Sequence, residues 1–468
     1  MSDPAQVKLI EETVARQRAY FRTGATKPVR VRMEALKRLR DEIQAREQAL
    51  LAALKADLHK SAQESYMCEL GLNLDELGYL IKKTPQWARP QHRPTPLVQY
   101  VSRSYEIAEP YGVVLVMSPW NYPYLLSLDP LFGAVAAGNC VILKPSAYSP
   151  HTSHAMAELI AAVFPPDWVT VIEGGREQNS ALLEQRFDRI FFTGSVAVGR
   201  LVMEKASKHL TPVTLELGGK SPVIIDRTAD IPLTAKRLAF GKLLNAGQTC
   251  VAPDYVLVDR QVKDRLVKEL TKQFRRMLGD DPTANPDFVR IVNAKHFSRL
   301  QGLIEGENVI YGCGNRPDPD GESGWIAPTL IEDTLKAESK AMQEEIFGPI
   351  LPIIPYDRLP QALGFIVSRE KPLALYLFTR SRKVKEKVLS VCSFGGGCVN
   401  DTIIHLATHH MGFGGVGSSG MGNYHGKKSF DTFSHYRAIV DKATWLDLPM
   451  RYLPYRPLYD KMIRMFLK

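Results

Sequence analysis

Cysteine is scarce and scattered in this chain: Cys68, Cys140, Cys250, Cys313, Cys392 and Cys398, with no two in a CxxC spacing. That excludes a disulfide-stapled scaffold and fits a reducing compartment. Long apolar runs are also missing. The longest, LFGAVAAGNCVIL (131–143), is too short to cross a bilayer. The opening MSDPAQVKLIEET lacks the basic-then-apolar order of a secretory leader, so the expected location is the cytoplasm. No internal repeat and no low-complexity segment is present. The net charge is +10, but Lys and Arg are spread along the chain among Asp and Glu. Without a compact basic run interleaved with aromatics, no nucleic acid is expected as a partner.

What is present is ordinary globular material. A chain of 468 residues, 45% hydrophobic and 24% charged, is long enough for two or three packed units. Val29, Met33, Leu36 and Ile43, then Leu51, Leu54 and Leu58, recur near a 3.6-residue period and predict N-terminal helices, broken by Pro85 and RPQHRPTP. From Tyr111 the pattern changes to short apolar runs separated by helical stretches: GVVLVM (112–117), CVILK (140–144), VTVIE (169–173) and RIFFT (189–193). Strand and helix in alternation imply crossovers, hence a parallel sheet covered by helices in an α/β fold. Ligands bind such sheets where strands end, which puts KPS (144–146) and TGS (193–195) at a candidate crevice. A second alternation runs from about Gly219 to Asn400 through SPVIID, DYVLVD, PILPIIPY and LALYLFT, and predicts a second α/β unit.

Several motifs carry chemistry, each beside a plainer reading. FFTGSVAVGRLVMEKASKHL (191–210) ends a strand, turns through Gly194 and Ser195 and opens a helix whose free N–H groups could face an anion; an ordinary capped turn reads the same way. GFGGVG (412–417) spells GxGxxG but has no strand before it and no helix after it, and GGKS (218–221) has Thr214 where a P-loop needs its first glycine. His405 and His409 stand four apart without the acidic partner of a zinc helix, so packing histidines are expected and no metal. Glu216 sits between Leu215 and Leu217, apolar company that would raise its proton affinity and suit a general base; pairing with a distant Arg or Lys is the alternative. Cys140 falls in a buried strand, whereas Cys250 lies on the polar, glycine-containing NAGQTCVAP (245–253). A thiolate nucleophile favours such exposure and a positive local potential.

Together the segments resemble the aldehyde dehydrogenase superfamily over nearly the whole chain. The matching set is SPWNYP (118–123), KPS, FTGS with Gly199, LELGGKSP (215–222), GQTC (247–250), EEIFGP (344–349) and FGG followed by SGMG (413–422), in order and at suitable separations. The shorter N-terminal region, GQTCVAPDY, MQEEIFGP and SFDTFSHYR are most similar to the class 3 branch of fatty and aromatic aldehyde dehydrogenases.

The resemblance implies an aldehyde dehydrogenase fold: a Rossmann-like cofactor domain (1–91 and 111–215), an α/β catalytic domain (216–431), a small β oligomerisation element (92–110 and 432–445) that would build a homodimer, and a C-terminal tail (446–468). It implies Cys250 as nucleophile, Asn121 and the Cys250 amide as oxyanion donors, and Glu216 as the base that activates water against the thioester. Trp120, Lys144, Ser146, Ala147, Gly194, Ser195, Gly199, Leu217, Glu345 and Phe347 would bind NADP or NAD. Ala147 departs from the many relatives that carry Glu there; without a carboxylate to repel a 2′-phosphate, NADP is expected to be tolerated or preferred. Tyr122, Tyr124, Leu125 and Ile403 would line a tunnel for an apolar aldehyde, and the basic, amphipathic tail would cover its entrance or touch a membrane surface. The rival readings are a dehydrogenase that passes the acyl group to coenzyme A, a non-catalytic protein on the same fold, and a cofactor-independent thiol hydrolase.

Overall fold

The computed structural model describes residues 4–312, 314–318, 321 and 323–467; Cys313 lies outside them. The predicted N-terminal helices form at Pro4–Arg22, Val29–Ala45, Glu47–Leu58 and Gly71–Trp87. Leu36, Leu39, Leu54 and Leu58 are fully buried, as their period requires. One boundary differs from the expectation. Pro85 does not break its helix, which runs on to Trp87, because a proline in the last turn deletes a single backbone bond where the helix is ending anyway.

The apolar runs from residue 113 onward become a six-stranded sheet in the order Gly420–Met421, Val213–Glu216, Arg189–Thr193, Val113–Met117, Cys140–Lys144, Val169–Val171. All its pairs are parallel except the one made by Gly420–Met421. From Val113–Met117 the chain adds two strands on one side and then, from Arg189, two on the other. This reversal opens a crevice beyond Met117 and Thr193, where ligands of such sheets bind. Gly138 makes one tight turn possible: at φ 101° it ends the helix Leu125–Ala137, and a Cβ there would meet the guanidinium of buried Arg32 at 2.9 Å.

The second alternation builds a seven-stranded sheet ordered Val309–Tyr311, Thr329–Glu332, Ile350–Tyr356, Tyr255–Asp259, Pro222–Ile225, Ala374–Phe378, Gly396–Val399, parallel but for its first edge. Buried Val, Ile and Leu fill the central strands, as expected for a sheet covered on both faces. A third sheet is antiparallel: Gln91–Arg93, Ser102–Pro110 and Ser434–Lys442, the last two paired along their full lengths.

The tail forms a helix, Pro457–Phe466, beside this third sheet. Val98, Val440, Leu448, Met450 and Ile463 line a groove of about 420 Å³ between them. The expectation that the tail covers the entrance to the Cys250 tunnel is not met within this chain: none of its described residues lines that cavity. No described helix is long and apolar enough to cross a membrane.

Candidate active site

Cys250 follows a turn that few residues adopt. After the helix Ile231–Leu243, Asn245, Ala246 and Gly247 take φ of 51°, 50° and 73° in succession, a left-handed path that costs the two non-glycine residues backbone strain. Side chains from distant segments hold it. Glu64 Oε1 accepts from the Asn245 amide at 2.8 Å, and the Asn245 side chain donates to the carbonyls of Asn121 at 2.8 Å and Gln248 at 3.1 Å. Gln248 Nε2 donates to Arg290 O at 3.0 Å, while its Oε1 accepts from Val292 N at 3.0 Å. On the far side, Thr249 Oγ1 lies 2.7 Å from the Tyr122 hydroxyl, and the Tyr376 hydroxyl donates to Val251 O at 2.6 Å. The cysteine stands on a loop, but on one fixed at both ends.

Two cavities meet there. The larger, about 340 Å³, opens beyond Thr193 and is lined by Trp120, Asn121, Gly194, Ser195, Glu216 and Glu345, with Leu217 and Phe347 beside them. The smaller, about 200 Å³, is almost wholly apolar, with Tyr122, Leu125, Phe240, Ile403, Phe413 and Tyr424 in its walls. Cys250 and Leu126 belong to both.

The charges around the sulfur do not favour a thiolate. Burial pushes the Cys250 thiol up to about 12, the carboxylates of Glu345 and Glu216 add to the rise, and the Cys250 and Val251 amides offset part of it. The positive potential expected from the sequence is absent, because the cationic groups nearby are engaged. Lys220 pairs with Asp254 and donates to the carbonyls of Ala341 and Glu344, and Arg299 bonds Glu344 and the Ile346 carbonyl.

Glu216 ends the strand Val213–Glu216, in register with Thr193 and Gly420. It is 3% exposed, and neither carboxylate oxygen has a hydrogen-bond partner. Burial alone holds its proton well above the usual carboxylate range. The distant Arg or Lys partner, open as an alternative in the sequence, is not found among the described residues. Asn121 donates one amide hydrogen to Gln248 O at 3.0 Å, which orients the side chain and leaves its second hydrogen free. Glu345 is pushed up to about 8, by burial first and then by Asp254, and its Oε1 is unpartnered.

Other sequence-selected residues lie outside these two cavities. Lys144, at the end of the neighbouring strand, donates to Pro145 O at 2.6 Å and Gly174 O at 2.5 Å, and burial lowers it to about 8. Ser146 is half-buried beside it and Ala147 exposed. Gly199 touches Leu217, where a Cβ would come within 2.6 Å of Cδ2, so it lets the helix Val196–Ser207 approach the wall rather than forming it. Tyr124 is fully buried away from the apolar cavity. Tyr122 and Leu125 are three apart at the start of a helix and share a face, which turns Tyr124 into the core. His405 and His409 take separate partners, Cys398 at 3.6 Å and Asp75 at 2.8 Å.

Sequence reasoning missed several wall residues. His296 and Arg299, from the helix Ala294–Gly302, reach the larger cavity, and no local motif marks them. Gly218 was visible in LELGGKSP; a Cβ there would collide with the Glu345 carboxylate. Phe413 belonged to the discarded GFGGVG, whose place in the structure is the apolar wall rather than a phosphate loop.

A model of the aldehyde dehydrogenase family matches residues 3–439. The chain is 44% identical to 4,4'-diaponeurosporen-aldehyde dehydrogenase of Staphylococcus aureus, over 99% of this chain and 100% of that protein. It is 43% identical to a dimeric, NADP-preferring aldehyde dehydrogenase of Canis lupus familiaris, over 97% of this chain and 99% of that one. Among solved structures, the substrate-bound state of Staphylococcus aureus AldH superposes with a TM-score of 0.95 at 44% identity, covering 98% of this chain and 99% of the other.

Proposed function

The chain belongs to the aldehyde dehydrogenase family and is an NAD(P)-dependent oxidoreductase acting on aldehydes, and we propose that Cys250, Asn121 and Glu216 carry the reaction on apolar aliphatic or aromatic aldehydes. The observation that carries this reading is the position of Cys250 in the walls of two cavities, one almost wholly apolar and one that also presents Asn121, Ser195, Glu216 and Glu345. The smaller, about 200 Å³, suits a hydrocarbon tail, and the larger, about 340 Å³, with its mixed polar and apolar walls, suits a dinucleotide.

The residues present fit such a cofactor. Gly194 and Gly218 line the crevice without side chains and let Phe192 and Glu345 pack against them, and the unpartnered Glu345 Oε1 is an acceptor that would serve ribose hydroxyls. Trp120, Ser195, Leu217 and Phe347 line the same space, while Lys144, Ser146, Ala147 and Gly199, outside its walls, would serve the adenosine half of the cofactor. We assign residues 1–91 and 111–215 to this cofactor unit, joined by the edge strand Gly420–Met421 that pairs with Val213–Glu216, and the rest of 216–431 to the catalytic unit.

In the proposed reaction, the Cys250 sulfur forms a bond to the aldehyde carbon and the carbonyl electron pair moves onto oxygen. The free amide hydrogen of Asn121 and the Cys250 N–H receive that oxyanion, and would do so again when water adds to the thioester. Because the thiol is neutral in its surroundings, it gives up its proton to solvent water as the bond forms, which leaves Glu216 free for the later hydrolysis. NADP or NAD, when bound, supplies the acceptor for the hydride that leaves the thiohemiacetal carbon. The thioester left on Cys250 is hydrolysed by water whose proton goes to Glu216, releasing the carboxylic acid.

Two looser features complete the proposal. The third sheet exposes Val440, the connection between its first two strands exposes Leu97 and Tyr100, and this side would form a homodimer interface, which light scattering tests. The tail helix sets Leu458 and Met465 against Arg456, Lys461 and Arg464 and would rest on an anionic membrane surface of a cytoplasmic enzyme. Flotation with anionic vesicles, with and without residues 446–468, decides that point.

The test of the reaction is steady-state turnover of aldehydes of increasing chain length with NADP and NAD, with the product identified as free acid. Oxidation should improve from short to medium chains and vanish in Cys250→Ser. Acyl-coenzyme A as the required product, or full turnover in Cys250→Ser, would overturn it.

A further inference from the structure

We propose that Lys60, Glu64 and Glu69 form a buried clamp that positions the oxyanion-binding side of the Cys250 cavity, an inference that rests on the roles given above to Asn121 and Cys250. None of the three belongs to the walls of the cofactor cavity or the apolar tunnel. They come from one short stretch. Ser61 caps the single turn Ala62–Ser65, and a π-helical turn, Tyr66–Leu70, then widens the helix before it continues as Gly71–Trp87. Such a turn inserts an extra residue and redirects the side chains around it.

Lys60 and Glu69 are both 0% exposed and meet at 2.6 Å. The Lys60 ammonium also donates to the Asn121 carbonyl at 3.3 Å and lies 4.3 Å above the Tyr122 ring. Glu69 Oε2 accepts from the Tyr124 and Leu125 amides at 2.9 and 3.4 Å, the first free N–H groups of the helix Leu125–Ala137. The segment from Asn121 to Leu125 is therefore held at both ends by one ion pair.

Glu64 holds the opposite wall. Its bond to the Asn245 amide fixes the left-handed turn before Cys250, and the Asn245 side chain returns to the same Asn121 carbonyl that Lys60 holds. The Asn121 carbonyl thus has two donors, its side chain is tied to Gln248 O, and only its second amide hydrogen is left for substrate.

A buried ion pair is a poor device for stability alone. An apolar pair of similar volume is often as stable or more so, because both charges lose their water. Here the pair specifies a position. Lys60, Glu64 and Glu69 are positioning residues, and removing them should misplace the Asn121 donor while leaving cofactor binding intact.

The experiment compares Lys60→Met/Glu69→Met, Glu64→Ala and Glu64→Gln in the parent and in Asn121→Ala, measuring kcat, the aldehyde KM, cofactor Kd and Tm. In the parent, Lys60→Met/Glu69→Met and Glu64→Ala should lower kcat roughly tenfold or more, as expected when a reacting group shifts by a fraction of an ångström. Cofactor Kd should stay within about twofold, and in Asn121→Ala the further loss from Lys60→Met/Glu69→Met should shrink below about twofold, because that pair then has no donor to place, whereas Glu64→Ala, which also holds the turn before Cys250, should keep part but not all of its loss. Glu64→Gln keeps an acceptor for the Asn245 amide and should restore kcat. Should the double variant fail to fold, Glu64→Ala against Glu64→Gln carries the same comparison. Unchanged kcat in the parent, or an equal loss in both backgrounds, would overturn the clamp alone. Full activity of Asn121→Ala would overturn the role of Asn121 and the clamp with it.

Discussion

Gly218 lies against the carboxylate of Glu345, so that any Cβ on Gly218 would stand inside it. The glycine is not there for its backbone, since its φ is outside the left-handed region. It is there for the space. Gly218→Ala is expected to fold normally but to displace Glu345, weakening cofactor binding about tenfold, or ~1.4 kcal/mol. Fluorescence titration with reduced cofactor measures this, and unchanged affinity would remove Glu345 from the cofactor site.

The Cys250 thiol, pushed up to about 12 by burial and two carboxylates, is neutral at physiological pH in the cofactor-free protein. Because only the thiolate is nucleophilic, alkylation of Cys250 should be slow near neutrality and rise about tenfold per pH unit. A plateau near the ordinary thiol value of about 8.5 would show that the sulfur sits in a more polar environment than its neighbours indicate. Mass spectrometry of the modified peptide distinguishes Cys250 from the other cysteines.

Glu216→Gln removes the proposed base. Thioester hydrolysis should then stall, giving at most one equivalent of reduced cofactor and an acylated Cys250 detectable by mass. The same change should alter stability in a defined direction. The folded carboxyl binds its proton more tightly than the unfolded one, so the folded state loses relative stability as pH rises above the unfolded value of about 4.3. Glu216→Gln should therefore raise Tm at neutral pH and leave it nearly unchanged at about pH 4.

Ala147 is exposed beside Lys144, with no carboxylate at its position. Ala147→Glu should lower kcat/KM with NADP by roughly tenfold or more while sparing NAD, because a carboxylate beside a 2′-phosphate adds like-charge repulsion. Equal effects on both cofactors would separate this position from the adenosine ribose.

Much of this was legible locally. The apolar runs GVVLVM, CVILK and RIFFT became central strands because residues buried on both faces must be continuously apolar. The crevice beyond Met117 and Thr193 followed from the alternation of strand and helix. Tyr124 was misplaced because a composition of aromatic residues does not say which face of a helical turn they take; Tyr122 and Leu125 face the cavity and Tyr124 does not. His296, Arg299, Lys60 and Glu69 carried no signal, since each matters through a partner far away in the chain.

The sequence by itself determined the two alternating units, the cysteine-bearing loop and the family, because strand and helix patterns and short motifs are properties of neighbouring residues. Only the tertiary structure decided that Cys250 joins two cavities, that burial and two carboxylates raise its thiol, that Glu216 stands unpaired among the described residues, and that the tail helix lies beside the third sheet. Proton affinity and cavity shape depend on burial and on charges brought together by folding, and neither quantity exists until distant segments have met.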